Sequence, residues 1–440
     1  MFARLIRGWL RGAKSPAPPE HWDPDIAAAL LKAGKFDAAE RLARRRLQDK
    51  PLDSGAMSLL AGALAETGRL AEACEIVERV VAAVPGESQQ LCAGAEINRR
   101  AGHHARALEL AEQACALDEE SAAAWLVRAN VLERLGRDPE AFEAYSKTLA
   151  LVPHDRNLHS SLLFFLNRSG IFPLERVLQE HRRWAEVHAN ALSAASVAHT
   201  NEPDPARRLR VGYVSADFNH HVVAFFIAPV LENHDKGIFD IFCYASGLLN
   251  DAVTERLKRH VHAWRDIADL DDNAAAALVR EDRIDILVDL SGHTLGNRLL
   301  LFARKPAPLQ LTWLGNNGTT GMHAMDYCIG DPHTDPIGDS AARATEKILR
   351  LPVTQWCYSE PAQPPPSRQL PALRRGWVTF GAFTNFYRLN EQTFRNWAAI
   401  LDAVPGSRLK ILGAPAGESL DRMLQVLESA NIGAERLELV

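Results

Sequence analysis

The hexapeptide Gly68-Arg-Leu-Ala-Glu-Ala73 is one copy of a pattern that returns every 34 residues in the first part of the chain. Glycine occupies its first position five times, at Gly34, Gly68, Gly102, Gly136 and Gly170. Alanine follows five residues after the first four glycines, at Ala39, Ala73, Ala107 and Ala141. The four copies close at Pro51, Pro85, Glu119 and Pro153. Glycine lets one helix turn into the next, alanine lets two helices pack closely, and proline ends a helix.

A 34-residue period with these residues is typical of tetratricopeptide repeats, in which each unit is a pair of helices. We therefore predict an α-solenoid over residues 25–170, with four helix pairs from about Asp25 to His159. Such repeats stack into a superhelix whose concave groove usually binds peptide. The pattern predicts a polypeptide partner in the groove, and it also allows oligomers to form through the repeats.

Composition excludes several function classes. The 440 residues carry a net charge of -5 at pH 7, which argues against a general nucleic-acid binder because such proteins normally show a basic surface. The six cysteines form no CxxC pair, so we expect neither a disulfide framework nor a metal site, and a reducing compartment fits best. Three of them fall within the repeat helices, where we expect buried free thiols.

The N-terminal segment, residues 1–24, alternates arginine with bulky apolar residues before a proline-rich linker. Its apolar stretch is too broken for a secretory signal, so it is a leader packed or frayed ahead of the repeats, or a short basic helix on a membrane surface. No run reaches the length of a transmembrane helix. We expect a cytoplasmic protein.

Beyond the repeats, we predict a connecting helix at 174–188 and a linker, together spanning 171–206. Short β-rich runs then alternate with helical stretches over 207–358, which predicts a parallel, Rossmann-like sheet. The predicted strands are Leu209–Ser215, Phe239–Tyr244, Ile284–Leu290 and Leu309–Trp313. A proline-rich linker at 359–375 leads to a second alternating unit at 376–440, which we expect to be an incomplete lobe.

Ligands bind beyond the carboxyl ends of the strands in such sheets. The first strand leads to Asn219-His220-His221, where one histidine could abstract a proton from a hydroxyl, or cap the next helix. Adjacent histidines point to different sides, so a shared metal is not expected. The third strand leads to Gly292-His293-Thr294, where small residues would let backbone approach a ligand.

Three further segments have two interpretations each. The glycine-rich segment Leu314-Gly315-Asn-Asn-Gly-Thr-Thr-Gly321 follows the fourth strand and is either a sugar or phosphate loop or a flexible turn. Asp269-Leu-Asp271 has the form of a metal-binding DxD motif, but it precedes a helix, where aspartate serves as N-cap. Asn385 and Arg388 stand between a strand and a helix and are either an anion site or solvated surface.

In this order the segments resemble the O-linked N-acetylglucosamine transferases, the SPINDLY-like branch of glycosyltransferase family 41. The matching residues are 209–218, 286–294, 304–315, 319–327 and 376–385, together with the repeats. The resemblance implies a two-lobed GT-B catalytic domain that transfers N-acetylglucosamine from UDP-N-acetylglucosamine to Ser or Thr of a polypeptide, with inversion. It implies no metal and no cofactor besides the UDP-sugar.

The resemblance also implies site residues. His221 matches the active-site histidine of the family, as base or sugar-positioning group. Leu314 and Gly315 match the loop near the donor sugar, beside which we place His293 and Thr294. Asn385 stands where the family has a uracil or phosphate contact. Arg388 stands where it has a lysine that neutralises the departing diphosphate.

This chain departs from the family in three places. Arg388 replaces the lysine, which keeps the charge but changes reach and geometry. Asn316-Asn317 replace a Tyr-Pro pair. The segment that grips UDP in the family lies beyond Val440, so we expect the donor site to be half built. Two alternatives to an O-GlcNAc transferase stay open: a non-catalytic repeat scaffold with a degenerate transferase domain, and a sibling enzyme that transfers another hexose.

Overall fold

A computed structural model describes residues 22–193, 198–204, 206–315, 318–338, 343–358, 365, 369–414 and 417–440. The basic N-terminal leader, Asn316-Asn317 and most of the proline-rich linker lie outside these ranges. The chain divides into two compact units. The first joins Met1–Pro153 with Ser367–Val440, and the second is His154–Pro366. The predicted boundaries at residues 170 and 206 both fall inside the second unit.

Antiparallel helix pairs fill the described part of the first unit up to residue 151. They are α1 (Pro24–Lys32), α2 (Phe36–Asp49), α3 (Ser54–Glu66), α4 (Leu70–Ala83), α5 (Ser88–Ala101), α6 (His104–Leu117), α7 (Ala122–Arg134) and α8 (Asp138–Leu151). Each repeat glycine has a positive φ between 65° and 82°, in the left-handed conformation that ends a helix. The four repeat alanines are fully buried. The predicted helix pairs are therefore confirmed.

A fifth helix pair opens the second unit. It consists of α9 (Arg156–Ser169) and α10 (Leu174–His188), with Gly170 between them, and a short α11 (Asn190–Ser193) follows. The predicted helix at 174–188 is confirmed. The preceding helix α9 completes a fifth repeat-like pair, which explains why the glycine interval continues to Gly170.

A parallel seven-stranded sheet forms the core of the second unit, in the order β3-β2-β1-β4-β5-β6-β7. Its strands are β1 (Leu209–Ser215), β2 (Phe239–Ala245), β3 (Ala263–Asp266), β4 (Ile286–Asp289), β5 (Leu309–Thr312), β6 (Tyr327–Gly330) and β7 (Lys347–Arg350). The helices between them are α12 (Val222–Asn233), α13 (Ala252–Lys258), α14 (Asp272–Glu281) and α15 (Leu299–Ala303). Apolar residues of β1, β4, β5 and α12 form a common core.

The alternating pattern correctly predicted β1, β2, β4 and β5 but missed β3, β6 and β7. The three missed strands have only four residues each, and two of them contain charged side chains. β4 and β5 are equally short, but each lies in a longer apolar stretch, whereas charged residues lie in or directly beside β3, β6 and β7 and interrupt the pattern there.

The rest of the first unit contains a parallel three-stranded sheet in the order β10-β9-β8. Its elements are α16 (Pro371–Arg375), β8 (Thr379–Ala382), α17 (Glu391–Ala403), β9 (Arg408–Ile411), α18 (Glu418–Ser429) and β10 (Leu437–Leu439). Helix α16 occupies part of the predicted linker. Ser419 and Arg422 donate hydrogen bonds to the carbonyl oxygen of Leu135, so α18 contacts the end of α7.

The fold class is thus as predicted: a helical repeat region and parallel α/β sheets. Within the described ranges, no helix combines the length and the hydropathy needed to cross a membrane. Cys74, Cys92 and Cys115 are buried free thiols in the repeat helices, as expected.

Candidate active site

The carboxyl ends of β1, β4 and β5 lie side by side in the sheet of the second unit. The chain leaves β1 towards β2 on one side, whereas β4 continues to β5 on the other. A crevice forms where the strand order reverses in this way, and ligands of open α/β sheets bind there. The loops that follow these three strands carry His221, His293 with Thr294, and Leu314 with Gly315. The sheet therefore brings five of the predicted residues to one edge.

His221 is the N-cap residue of α12. Its Nδ1 accepts a hydrogen bond from the backbone N–H of Val223 at 3.3 Å. The side chain is 46% exposed, and Nδ1 lies 3.9 Å from Oδ2 of Asp217. The capping alternative is confirmed. Contact of the imidazole with a substrate stays a prediction.

Neighbouring loops hold the His221 loop in place. The backbone N–H of His220 donates to Oδ2 of Asp251 at 2.7 Å. Gly247, after β2, approaches so closely that a Cβ on it would lie 2.0 Å from the carbonyl oxygen of Ala216. The loop geometry around His221 therefore depends on the β2 connection as well as on its own sequence.

His293 is buried, and both of its ring nitrogens have partners inside the second unit. Nε2 lies 3.0 Å from the carbonyl oxygen of Thr320, so it donates, and Nδ1 accepts from the hydroxyl of Ser160 at 3.2 Å. Burial lowers the pKa of His293 to about 3, which keeps the ring neutral. Because both ring nitrogens are engaged within the protein, any contact of His293 with the donor sugar would be made by its backbone.

Thr294, Leu314 and Gly315 shape the adjoining loops. The Thr294 hydroxyl donates to the carbonyl oxygen of Ser291 at 2.8 Å. Leu314 has a φ of 64°, an uncommon conformation for a side chain of its size. A Cβ on Gly315 would lie 2.2 Å from the carbonyl oxygen of Leu290. The small residue at 315 thus lets the β4 and β5 loops meet. Donor binding by these residues stays a prediction.

Two buried carboxylates that support these loops were not predicted. Asp289, at the end of β4, accepts hydrogen bonds from the backbone of Ser291 and Gly292 and from the hydroxyl of Thr312. Burial raises its pKa to about 6. The sequence could have indicated this turn, because an aspartate such as that before Leu-Ser-Gly commonly accepts hydrogen bonds from the backbone that follows it.

Glu346 holds the loop that follows Gly318. It accepts from the hydroxyl of Thr319 at 2.5 Å and from both the backbone N–H and the hydroxyl of Thr320. No sequence signal indicated Glu346, because it stands 26 residues beyond Thr320. The carbonyl of Thr320 in turn accepts from His293, so the two buried groups fix the same loop.

Asn385 and Arg388 belong to the first unit, whereas the five residues above belong to the second. Asn385 directly precedes a 3-10 turn (Phe386–Arg388) that follows β8, and Arg388 ends that turn. The Asn385 carbonyl accepts from the Arg388 N–H at 2.9 Å. Phe386 anchors this turn in the core beside Phe394. Asn385 and Arg388 are exposed, and Arg388 has no ion-pair partner among the described residues. An anion contact there stays a prediction.

The described residues contain no group of three or more metal-ligating side chains that could hold a metal ion. In the DxD segment, Asp271 caps α14 by accepting from the N–H of Ala274 at 2.7 Å. The N-cap alternative is therefore confirmed for Asp271.

Comparison with known proteins places these features in a family. The model of "Glycosyl transferase family 41" matches residues 159–358, and a tetratricopeptide repeat model matches 25–88 and 93–156. Among solved structures, a mutant of the Thermobaculum terrenum O-GlcNAc transferase aligns with 95% of this chain and 73% of its own, at 32% identity and a TM-score of 0.73.

Curated relatives agree with this match. The proteins named "Probable UDP-N-acetylglucosamine--peptide N-acetylglucosaminyltransferase SPINDLY" of Oryza sativa subsp. japonica and Arabidopsis thaliana are 36% and 35% identical, over 68% and 66% of this chain. The chain spans about a third of their length, 32% in each case. On the identity and the coverage of the solved structure, this chain belongs to glycosyltransferase family 41.

Proposed function

We propose that this protein is an O-GlcNAc transferase, which moves N-acetylglucosamine from UDP-N-acetylglucosamine to Ser or Thr of a polypeptide with inversion. One observation carries the proposal: the family model matches 159–358, and the strand ends of this same part bring His221 to the crevice of the sheet. The names of the relatives and of the solved structure support the same sugar and a peptide acceptor.

Each part of the chain has a proposed task. The repeat helices bind the polypeptide acceptor, as tetratricopeptide grooves commonly do. His221 contacts the reacting groups, and the loops of Thr294, Leu314 and Gly315 border the donor sugar. Arg388 neutralises charge on the departing diphosphate, and Asn385 contacts the nucleotide. An exposed guanidinium with no ion-pair partner in the part of the chain that the structure describes is suited to this task, because it forms paired hydrogen bonds to phosphate oxygens.

The test is a transfer assay on the protein as its complete gene encodes it, with UDP-N-acetylglucosamine and, separately, other UDP-hexoses, against proteins of a whole-cell lysate, read by intact mass. We expect transfer of N-acetylglucosamine. His221→Ala should abolish transfer and leave UDP affinity within a few-fold. Transfer of another hexose only would favour the sibling enzyme.

The scaffold alternative predicts a different result. A repeat scaffold with a degenerate domain transfers no sugar and binds no UDP in calorimetry, while still binding polypeptides. Absence of both transfer and UDP binding would therefore overturn the proposal. Arg388→Ala provides a further check, since it should weaken UDP binding, and Arg374→Ala, another exposed arginine, should not.

A further inference from the structure

We propose that His221 serves its substrate as a hydrogen-bond donor through Nε2, and that it is not the base that removes the proton of the acceptor hydroxyl. The identity of the substrate rests on the proposed function. Which ring nitrogen carries the hydrogen is argued from the fold alone, and it can be measured without any turnover.

The N-cap geometry assigns the proton. A neutral imidazole carries one hydrogen, on one of its two nitrogens. Nδ1 of His221 accepts the N–H of Val223 at 3.3 Å, so Nδ1 presents its lone pair and the hydrogen is on Nε2. An Nδ1–H would point at another N–H and leave the first turn of α12 without this cap.

This assignment restricts the chemistry. A base needs a free lone pair on a nitrogen that the substrate can reach, and the lone pair of Nδ1 is engaged by the helix. Asp217 does not change the assignment, because its carboxylate is 3.9 Å from Nδ1, beyond hydrogen-bond distance. The side chain is 46% accessible, and Nε2 has no hydrogen-bond partner among the described residues, so we infer that Nε2–H is available to a ligand oxygen.

A donor at this position has a defined use in the proposed transfer. The bond between the anomeric carbon and the phosphate oxygen breaks, and UDP leaves with its electron pair. The bond to the acceptor oxygen forms, and the hydroxyl proton ends on solvent water. A fixed N–H that points at a substrate oxygen stabilises the negative charge that develops on that oxygen during this step. The imidazole itself neither gains nor loses a proton.

Two substitutions separate the cap from the donor. His221→Asn keeps an acceptor near the position of Nδ1 and suits an N-cap, but it lacks a donor at the distance of Nε2. His221→Gln puts an amide N–H near the position of Nε2 but is a poor cap. We expect His221→Gln to keep transfer within about tenfold of wild type, and His221→Asn to lose about a hundredfold or more.

Thermal unfolding should show the opposite order. His221→Asn should unfold near the wild-type temperature, and His221→Gln roughly 2 °C lower, since only the second loses the cap. His220→Gln is the matched control for transfer, because the adjacent ring caps no helix and its substitution should leave transfer unchanged. Its ring contacts Phe225 edge-on at 5.3 Å between centroids, so wild type alone is the reference for stability. Equal loss of transfer, about a hundredfold or more, in both His221 variants would overturn the proposal, since neither amide can act as a base.

Nitrogen NMR on the full chain decides the protonation directly. With ¹⁵N-labelled histidine, the signals absent from His221→Gln belong to His221, and we expect the proton on Nε2. A proton on Nδ1 would overturn the assignment. If the wild-type chain transfers no sugar, the proposed function fails, while the NMR and unfolding results still decide the state of His221.

Discussion

The repeat helices and the sheet unit bury different kinds of side chain. In α1–α8 the buried residues are mostly alanine, leucine and valine, and repeat alanines such as Ala73 and Ala107 are fully buried. The sheet unit buries His293, Asp289 and Glu346 beneath its loops. Buried polar groups are costly unless they are hydrogen-bonded, so a protein retains them where they fix a particular geometry. We infer that buried polar groups fix the positions of the loops at the strand ends, whereas close packing of apolar side chains holds the repeat helices together.

The largest effect should come from adding one methyl group at Gly315. A Cβ there would lie 2.2 Å from the carbonyl oxygen of Leu290, so the β4 and β5 loops must separate. We expect Gly315→Ala to lower the free energy of unfolding by about 3 kcal/mol. Gly86→Ala, in a repeat loop with open space around its Cβ position, should be close to neutral. Urea unfolding of both variants makes the comparison, and equal losses would show that Gly315 is not under this constraint.

The repeats should be most sensitive to side-chain size. Ala107 is fully buried between helices, whereas Ala105 is exposed on the same helix α6. Overpacking a well-filled interface costs about 1–3 kcal/mol, so we expect Ala107→Leu to destabilise the repeats by about 2 kcal/mol. Ala105→Leu should change stability by less than about 0.5 kcal/mol. Thermal unfolding checks both, and a neutral Ala107→Leu would contradict close packing at that site.

Acid should affect the sheet unit through its buried histidines. Burial lowers the pKa of His293 to about 3, whereas an unfolded histidine titrates near 6.5, so between these values the unfolded chain binds the extra proton. Stability from this group is complete above pH 6.5 and is lost as the pH falls towards 3. Asp289 has the opposite sign, because its raised pKa makes the folded state bind more protons between its ordinary value and about 6.

A substitution isolates the contribution of His293 from that of Asp289. Between pH 7 and pH 5, the free energy of unfolding should fall by less in His293→Gln than in wild type. The difference between the two losses should be at most about 2 kcal/mol. Urea unfolding at the two pH values measures this difference. An identical loss in both proteins would show that His293 does not titrate as its burial requires.

The smallest effect should come from a surface ion pair between repeats. Arg100 and Glu66 lie 2.6 Å apart, and about a third of each side chain is exposed. We expect Glu66→Gln to cost less than about 1 kcal/mol, and less still at high salt. Glu346→Gln removes a buried acceptor and should cost about 2 kcal/mol with little salt dependence. Unfolding at low and high salt compares them, and a larger loss for Glu66→Gln would reverse this interpretation.

Sequence reasoning succeeded where neighbours along the chain carry the pattern. The glycine interval predicted the helix pairs, and alternating runs predicted β1, β2, β4 and β5. It failed at β3, β6 and β7, because charged residues in or directly beside these strands interrupt the apolar pattern. It also placed His293 among the donor contacts without indicating that its ring faces Ser160, which stands 133 residues earlier.

The sequence alone determined the repeat architecture, the parallel α/β class and the loops that carry the candidate residues, because periodicity and strand ends are local properties. Only the tertiary structure decided what those residues do within the protein. It directed Nδ1 of His221 to the N-terminus of α12, buried His293, and brought Asp289 and Glu346 beneath the loops. These outcomes depend on contacts between segments far apart in the chain, and a hydrogen bond forms only where packing sets both its distance and its direction.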